Sequence, residues 1–192
     1  MIKILDNFLP KSLQDDIESK MLDTQFGWYY FSETADKHLS YTDNNVMDSY
    51  QFTHTIYFFD TGVNSDYYML IKKILNHVEK VEDIKVKKLF RIKANFTVPN
   101  INFKSNNYTR IHQDYGVYKD ENNKNVYSFL YYVNDSDGDT RFFDDKLKLI
   151  NSCKPKKGTG ALFKSSTLHS GSCPVNHDKR LVVNFIFEVE ND

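Results

Sequence analysis

The sequence predicts an α+β fold that is mainly β, and three observations carry that expectation. Two amphipathic helical segments come early, a run of short strands and turns follows from Val86, and 15% of the residues are aromatic, with 15 Phe and 13 Tyr. Aromatic and β-branched side chains suit a pleated, half-buried surface. Helices that precede the strands, rather than alternating with them, argue for α+β with the strands in a closed or sandwiched antiparallel unit.

Taken in order, Ile2 to Leu5 reads as a short strand before a turn. Pro10 to Leu22 predicts a helix, because proline suits a first turn and Leu13, Ile17 and Met21 recur at helical spacing. Residues 32–49 are polar and turn-prone, a loop long enough to act as a lid or substrate-binding segment. Phe52 to Phe59 is strand-like, and Asp66 to Glu79 predicts a second amphipathic helix capped by Ser65. Strands are then expected at 88–98, 108–113, 126–133, 140–143, 160–164 and 180–189. No linker, repeat or low-complexity segment divides the 192 residues, so one domain is expected over 1–192, with its β core at roughly 86–190.

Composition excludes several function classes. A formal net charge of -1 gives no global electrostatic case for nucleic acid or an anionic membrane surface. No apolar run approaches the roughly 18 residues that span a bilayer. The first residues lack a basic segment followed by an apolar one, so a soluble, cytoplasmic protein is expected. Cys153 and Cys173 are too few for a disulfide framework in a domain of this size and are expected as reduced thiols.

The chemistry concentrates in the second half. His112-Gln113-Asp114 lies in a tyrosine-rich stretch, and on a strand residues i and i+2 share a face, so an imidazole and a carboxylate can reach one metal. A third ligand from a distant strand, His169 in Leu168-His169-Ser170-Gly171, would complete a two-histidine, one-carboxylate site with open positions opposite. Asp114 also has a plain reading as the cap of a turn before Tyr115-Gly116, and the two readings are compatible. Among the other histidines, His38 and His77 read as solvated or packing residues and His54 as a structural strand residue. His177, in the turn Pro174 to Lys179, is the one rival to His169.

Arg180 opens the strand Arg180 to Phe187, whose alternation places Arg180, Val182, Asn184 and Ile186 on one face. The chain has four arginines (Arg91, Arg110, Arg141 and Arg180), so arginine here is not a by-product of surface composition. Its bland reading is an exposed hairpin arginine. Its functional reading is a planar fork for a carboxylate.

These residues sit among others in a recognisable order: His112-Gln-Asp114, Phe129-Leu-Tyr-Tyr-Val-Asn134, Asp137-Gly-Asp-Thr-Arg-Phe142, Pro155-Lys-Lys-Gly-Thr-Gly-Ala-Leu-Phe163, His169-Ser-Gly171 and Arg180. Across roughly 108–187 the sequence resembles the Fe(II)/2-oxoglutarate-dependent oxygenases, within them the prolyl-4-hydroxylase-like branch. The resemblance implies a double-stranded β-helix (jelly roll) with supporting N-terminal helices. It implies Fe(II) on His112, Asp114 and His169, 2-oxoglutarate as cosubstrate with its distal carboxylate on Arg180, O2 as oxidant, and ascorbate as an accessory reductant. Tyr132 aligns with a tyrosine that reaches the same carboxylate; Tyr108 is a second candidate and Tyr118 a weaker one. Thr140 and Leu162 are candidates for lining the pocket. Some relatives carry Ser or Thr two residues after the basic position, where this chain has Val182, so one cosubstrate hydrogen bond is absent or supplied elsewhere.

The implied reaction is hydroxylation of an unactivated C–H bond with release of succinate and CO2. The branch favours a prolyl residue in a peptide or protein, recognised by 32–49 and by Tyr115 to Asn125. A free amino acid or other small metabolite is the alternative substrate. A non-catalytic metal-binding jelly roll is the alternative class, against which an intact triad together with an arginine clamp argues; a cupin-like metalloenzyme without an oxoacid is a third reading, and succinate production with iron and 2-oxoglutarate separates both from the oxygenase.

Overall fold

The structure is a computed structural model that describes residues 2–114 and 125–190. In chain order its elements are β1 (Ile2–Leu5), α1 (Lys11–Met21), β2 (Tyr29–Phe31), β3 (Ser40–Tyr41), β4 (Gln51–Phe58), β5 (Gly62–Val63), α2 (Tyr68–Glu82) and β6 (Val86–Thr97). There follow β7 (Ile111–His112), β8 (Val126–Tyr132), β9 (Thr140–Phe143), β10 (Leu149–Cys153), β11 (Gly160–Lys164), β12 (Leu168–Gly171) and β13 (Arg180–Val189). The large sheet runs β1-β11-β8-β13-β6-β4-β2 with β5 beside β4, and the small sheet runs β10-β9-β12-β7-β3. Every strand pairing in both sheets is antiparallel. Two facing antiparallel sheets with crossing connections are the double-stranded β-helix.

Side-chain alternation decides what each face of the large sheet meets. Phe129 and Tyr131 point one way from β8, as does Val133 just past its end, and Leu181, Val183, Phe185 and Phe187 do so from β13; they pack with Ile17 and Met21 of α1 and Ile71, Ile74, Leu75 and Val78 of α2. The alternate residues face the small sheet, where Leu130, Tyr132, Phe142, Ala161, Phe163 and Val182 form a second buried cluster. Because β13 is covered on both sides, nine of its ten residues are buried and it reads as a nearly continuous apolar run.

The sequence-predicted helices are present with shifted ends. Pro10 is the N-cap residue of α1 rather than its first turn. Ser65 does not cap α2; its hydroxyl accepts from the Tyr67 amide in the turn before Tyr68. The expected strand 108–113 narrows to Ile111–His112, and the 32–49 segment holds a short 3-10 turn and β3, which pairs with β7. Among the described residues no helix is long and apolar enough to cross a membrane. Cys153 and Cys173 are buried free thiols, and the Cys173 thiol lies 3.2 Å from Ser49 Oγ.

Candidate metal and cosubstrate site

The small sheet builds the first part of the site. β12 runs antiparallel to β7 with His169 directly opposite His112, so both imidazoles project from one face, their ring centroids 4.5 Å apart. Two residues beyond His112 the chain turns Asp114 to the same point. One ligand atom from each of His112, Asp114 and His169 lies within 4.8 Å of the other two. His169 Nε2 is 3.6 Å from Asp114 Oδ2.

Backbone carbonyls fix how the rings present themselves. His112 Nδ1 lies 3.0 Å from the Arg110 carbonyl and His169 Nδ1 lies 2.9 Å from the Thr167 carbonyl. A carbonyl only accepts, so each Nδ1 carries the proton and each Nε2 turns a lone pair toward the shared space. Burial, reinforced by His169, holds His112 at a pKa of about 4, which keeps its ring neutral and fit to ligate at neutral pH.

Asp114 is buried, and burial alone would raise its pKa, but His169, Arg91 and His112 together hold the carboxyl well below the usual carboxylate range. Its oxygens accept from Arg91 Nη2 at 3.2 Å, Ser128 Oγ at 2.8 Å and Asn184 Nδ2 at 3.1 Å. Ser128 is itself steadied by Ser165, 2.8 Å away. Two imidazoles and one carboxylate on a single side, with an open cavity opposite, match the donor set that a non-haem iron centre uses.

The second part is built by the large sheet. Arg180 is 7% exposed, yet it forms no ion pair with any described carboxylate. Its Nε donates to the Gly138 carbonyl at 2.6 Å and its Nη2 to Thr140 Oγ1 at 2.9 Å. Tyr132 also donates to Thr140 Oγ1, at 2.9 Å, which leaves the threonine proton free for another acceptor. Thr97, opposite Arg180 on β6, has a buried Oγ1 with no partner. A buried guanidinium beside unspent hydroxyls calls for an anion. The cavity that reaches Arg180, Thr140 and Thr97 also reaches His112, Asp114 and His169.

Gly138 explains part of the Asp137-to-Phe142 motif. A Cβ on it would come within 2.5 Å of the Ser172 carbonyl and 2.8 Å of Arg180 Cδ. Gly138→Ala should therefore push the arginine stem aside and raise the 2-oxoglutarate requirement several-fold, with metal content unchanged. Metal analysis and cosubstrate titration of the same preparation check both halves.

Not every residue expected at the site arrives there. Tyr108 packs against Phe143 under the Arg141 guanidinium and donates to Asp43, and it is not among the residues lining the cavity. Thr140 lines the cavity, whereas alternation along β11 turns Leu162 into the helix-facing core. Tyr118 and the recognition segment from Tyr115 lie outside the described residues, apart from Asn125 at its end. His177 sits in a turn 3.3 Å from Asp137 and is not one of the three side chains whose ligand atoms converge. His54 meets the Gly27 carbonyl and stacks near Phe26, and His38 and His77 are off the cavity.

Two residues were overlooked. Arg91 and Lys93 line the cavity beside Asp114, with Asn95 and Thr97 following at the same two-residue spacing. Burial and Arg91 push the Lys93 ammonium down to about 7, against the opposing pull of Asp114. Their signal was alternation: polar residues at 91, 93, 95 and 97 between apolar ones at 90, 92, 94 and 96. That pattern also describes a strand with a solvated face, so it does not by itself announce a cavity.

Residues 99–188, which contain His112, Asp114, His169 and Arg180, match the family model of the 2OG-Fe(II) oxygenase superfamily. This stretch is a 2OG-Fe(II) oxygenase domain. Domains of this family work with Fe(II), 2-oxoglutarate and O2. Solved structures share its fold. A 2OG-Fe(II) oxygenase family oxidoreductase from Burkholderia pseudomallei superposes with a TM-score of 0.71 at 12% identity, over 99% of this chain and 86% of that one. A Trichoplax adhaerens prolyl hydroxylase in complex with a hypoxia inducible factor peptide gives 0.65 at 15% identity, over 97% and 83%. The viral collagen prolyl hydroxylase of Paramecium Bursaria Chlorella virus-1, with 2-oxoglutarate bound, gives 0.58 at 16% identity, over 98% and 96%. No curated protein sequence matches the oxygenase.

Proposed function

We propose that the oxygenase hydroxylates a prolyl residue in a peptide or protein, with His112, Asp114 and His169 holding the metal and Arg180 holding the distal carboxylate of 2-oxoglutarate. The observation that carries the cosubstrate assignment is the buried guanidinium without a carboxylate partner, in the same cavity as the three ligating side chains. A structural metal site would have no use for it. The chemistry that iron supplies when bound is activation of O2, coupled to conversion of 2-oxoglutarate into succinate and CO2.

The chain's own residues do the rest. The Arg110 and Thr167 carbonyls hold both histidine rings with Nε2 inward, and Arg91, Ser128 and Asn184 hold the Asp114 carboxylate in place. Arg180, with Thr140 and Thr97 beside it, orients the cosubstrate by its far end. Thr97 supplies a hydroxyl on the neighbouring strand, which offsets the loss of one at Val182. Phe163, 4.9 Å from the His169 ring, and Phe142 keep that side of the site dry.

A peptide substrate is supported by the way the cavity opens. Beyond His112 and Asp114 it continues into a cleft bounded by Phe31, Glu33, Thr34, Ala35 and Asp36, and on past Tyr29, Tyr30, Thr53 and Thr55. Tyr29, Tyr30 and Phe31 on the edge strand β2 are 68%, 62% and 59% exposed, a wall of apolar surface suited to an extended chain. The prolyl-hydroxylase likeness of the fold points the same way. With iron, 2-oxoglutarate and O2, proline-containing peptides should accelerate succinate release and gain one oxygen atom on proline by mass spectrometry. Proline peptides that leave succinate release at its uncoupled rate, beside a free amino acid that accelerates it, would replace this substrate with the metabolite.

A further inference from the structure

On the side of the ligating trio where the cavity opens outward, the inward faces of β6 and β4 form the floor of a cleft that contains two cations. Arg91 and Lys93 line the same opening as His112 and Asp114. Strand register places Lys93 between Asn184 of β13, which donates to Asp114, and Thr55 of β4. Neither cation is spent. Arg91 gives one Nη2 to Asp114, while its Nε is buried without a partner. Lys93 has no hydrogen bond or ion pair with any described residue.

The acidic groups facing this opening are committed elsewhere. Glu33 pairs with Lys37 at 2.7 Å, Asp36 accepts from the His38 amide, and Asp114 belongs to the ligating trio. Lys93 is therefore left without a carboxylate partner of its own, whereas Arg180 has its anion in the cosubstrate. A proline flanked by neutral residues would leave half-buried Lys93 with no paired counter-charge and the Arg91 Nε unsatisfied, at a desolvation cost.

We propose that Arg91 and Lys93 form an anion subsite that recognises a carboxylate of the substrate, close to the carbon that is hydroxylated. The proposal rests on the hydroxylase reading above and narrows its substrate. Arg91 offers a directional N–H and Lys93 a mobile point charge, a combination suited to a carboxylate held at a slant to the cleft wall. The carboxylate comes either from an acidic residue beside the target in a peptide or from the α-carboxylate of a free amino acid.

The test is calorimetric titration of the protein loaded with Mn(II) and 2-oxoglutarate without oxygen, which reads binding and not turnover. Two pairs of probes differ only in charge: acetyl-Ala-Pro-Glu-amide against acetyl-Ala-Pro-Gln-amide, and proline against prolinamide. The acidic member of one pair should bind about tenfold tighter than its neutral twin, the factor expected of a charge-assisted contact. The first pair responding identifies a peptide, the second a free amino acid. Lys93→Met should erase the difference, Lys93→Arg should keep most of it, and 2-oxoglutarate affinity should be the same in all three proteins. Equal binding of both twins by the wild type, no binding of any acidic probe, or a Lys93→Met loss that falls on 2-oxoglutarate instead would overturn the subsite. The wild-type comparison stands even if a variant folds poorly. The prolyl reading fails separately: acetyl-Ala-Ala-Glu-amide binding as well as its proline counterpart would remove proline and retain the subsite.

Discussion

Arg180→Leu is expected to raise the 2-oxoglutarate concentration needed for half-maximal turnover by at least about tenfold, because a charge-assisted pair contributes about 1.5–3 kcal/mol and each ~1.4 kcal/mol is a factor of ten. Metal stoichiometry should not change, since the guanidinium contacts Gly138 and Thr140 rather than the ligating trio. Arg180→Lys should lose less, keeping a positive charge and forfeiting the fork. Arg141 is the control. Its two terminal nitrogens are engaged with the Asn106 and Ser105 carbonyls, both at 2.6 Å, so Arg141→Leu should leave the cosubstrate titration almost untouched. A wild-type titration curve from Arg180→Leu would remove the clamp and restore the case for a metal-binding module without catalysis.

The second large effect concerns the metal. His169→Ala should abolish stoichiometric binding, as one of three ligating groups goes and the remaining two leave too open a site. His177→Ala should leave binding nearly intact, its ring lying beside Asp137 in a turn and outside the converging trio. Elemental analysis after dialysis decides this, and zinc or nickel serves as well as iron because both bind such donors tightly. Loss of metal from His177→Ala and retention in His169→Ala would reverse the ligand assignment. The two experiments are independent: the first reads the cosubstrate end of the cavity and the second the metal end.

Much of this was legible in the sequence because it is written in local spacing. His112 and Asp114 are two residues apart on an extended chain, and β13 has its inward residues at every second position from Arg180. The strands at 140–143, 160–164 and 180–189 appear with those limits because each is a short stretch rich in aromatic and aliphatic residues with turn residues beside it. The strands that were overlooked are short or polar: β3 has two residues, and β10 is Leu-Ile-Asn-Ser-Cys, exposed along most of its length. What spacing could not convey was distance across sheets. Tyr108 is four residues before His112, yet Asp43, far away in sequence, takes its hydroxyl. Arg91 reads as a surface residue until β6 is known to lie beside β13, which carries Asn184, so that both reach Asp114.

The first strand has a consequence for how the molecule comes to be made. β1 pairs with β11, Ile2 opposite Phe163 and Leu5 opposite Gly160. All of the chain between Leu5 and Gly160 must therefore be made before these two strands can meet. Loops closed over such spans are slow to form, because the entropy of joining distant segments is lost before the contact repays it. Until then β11, with Ala161 and Phe163 destined for the interior, offers an unpaired backbone edge to any neighbouring chain. β1 thus works as a late latch: it closes one edge of the large sheet only after β11, far along the chain, has been made.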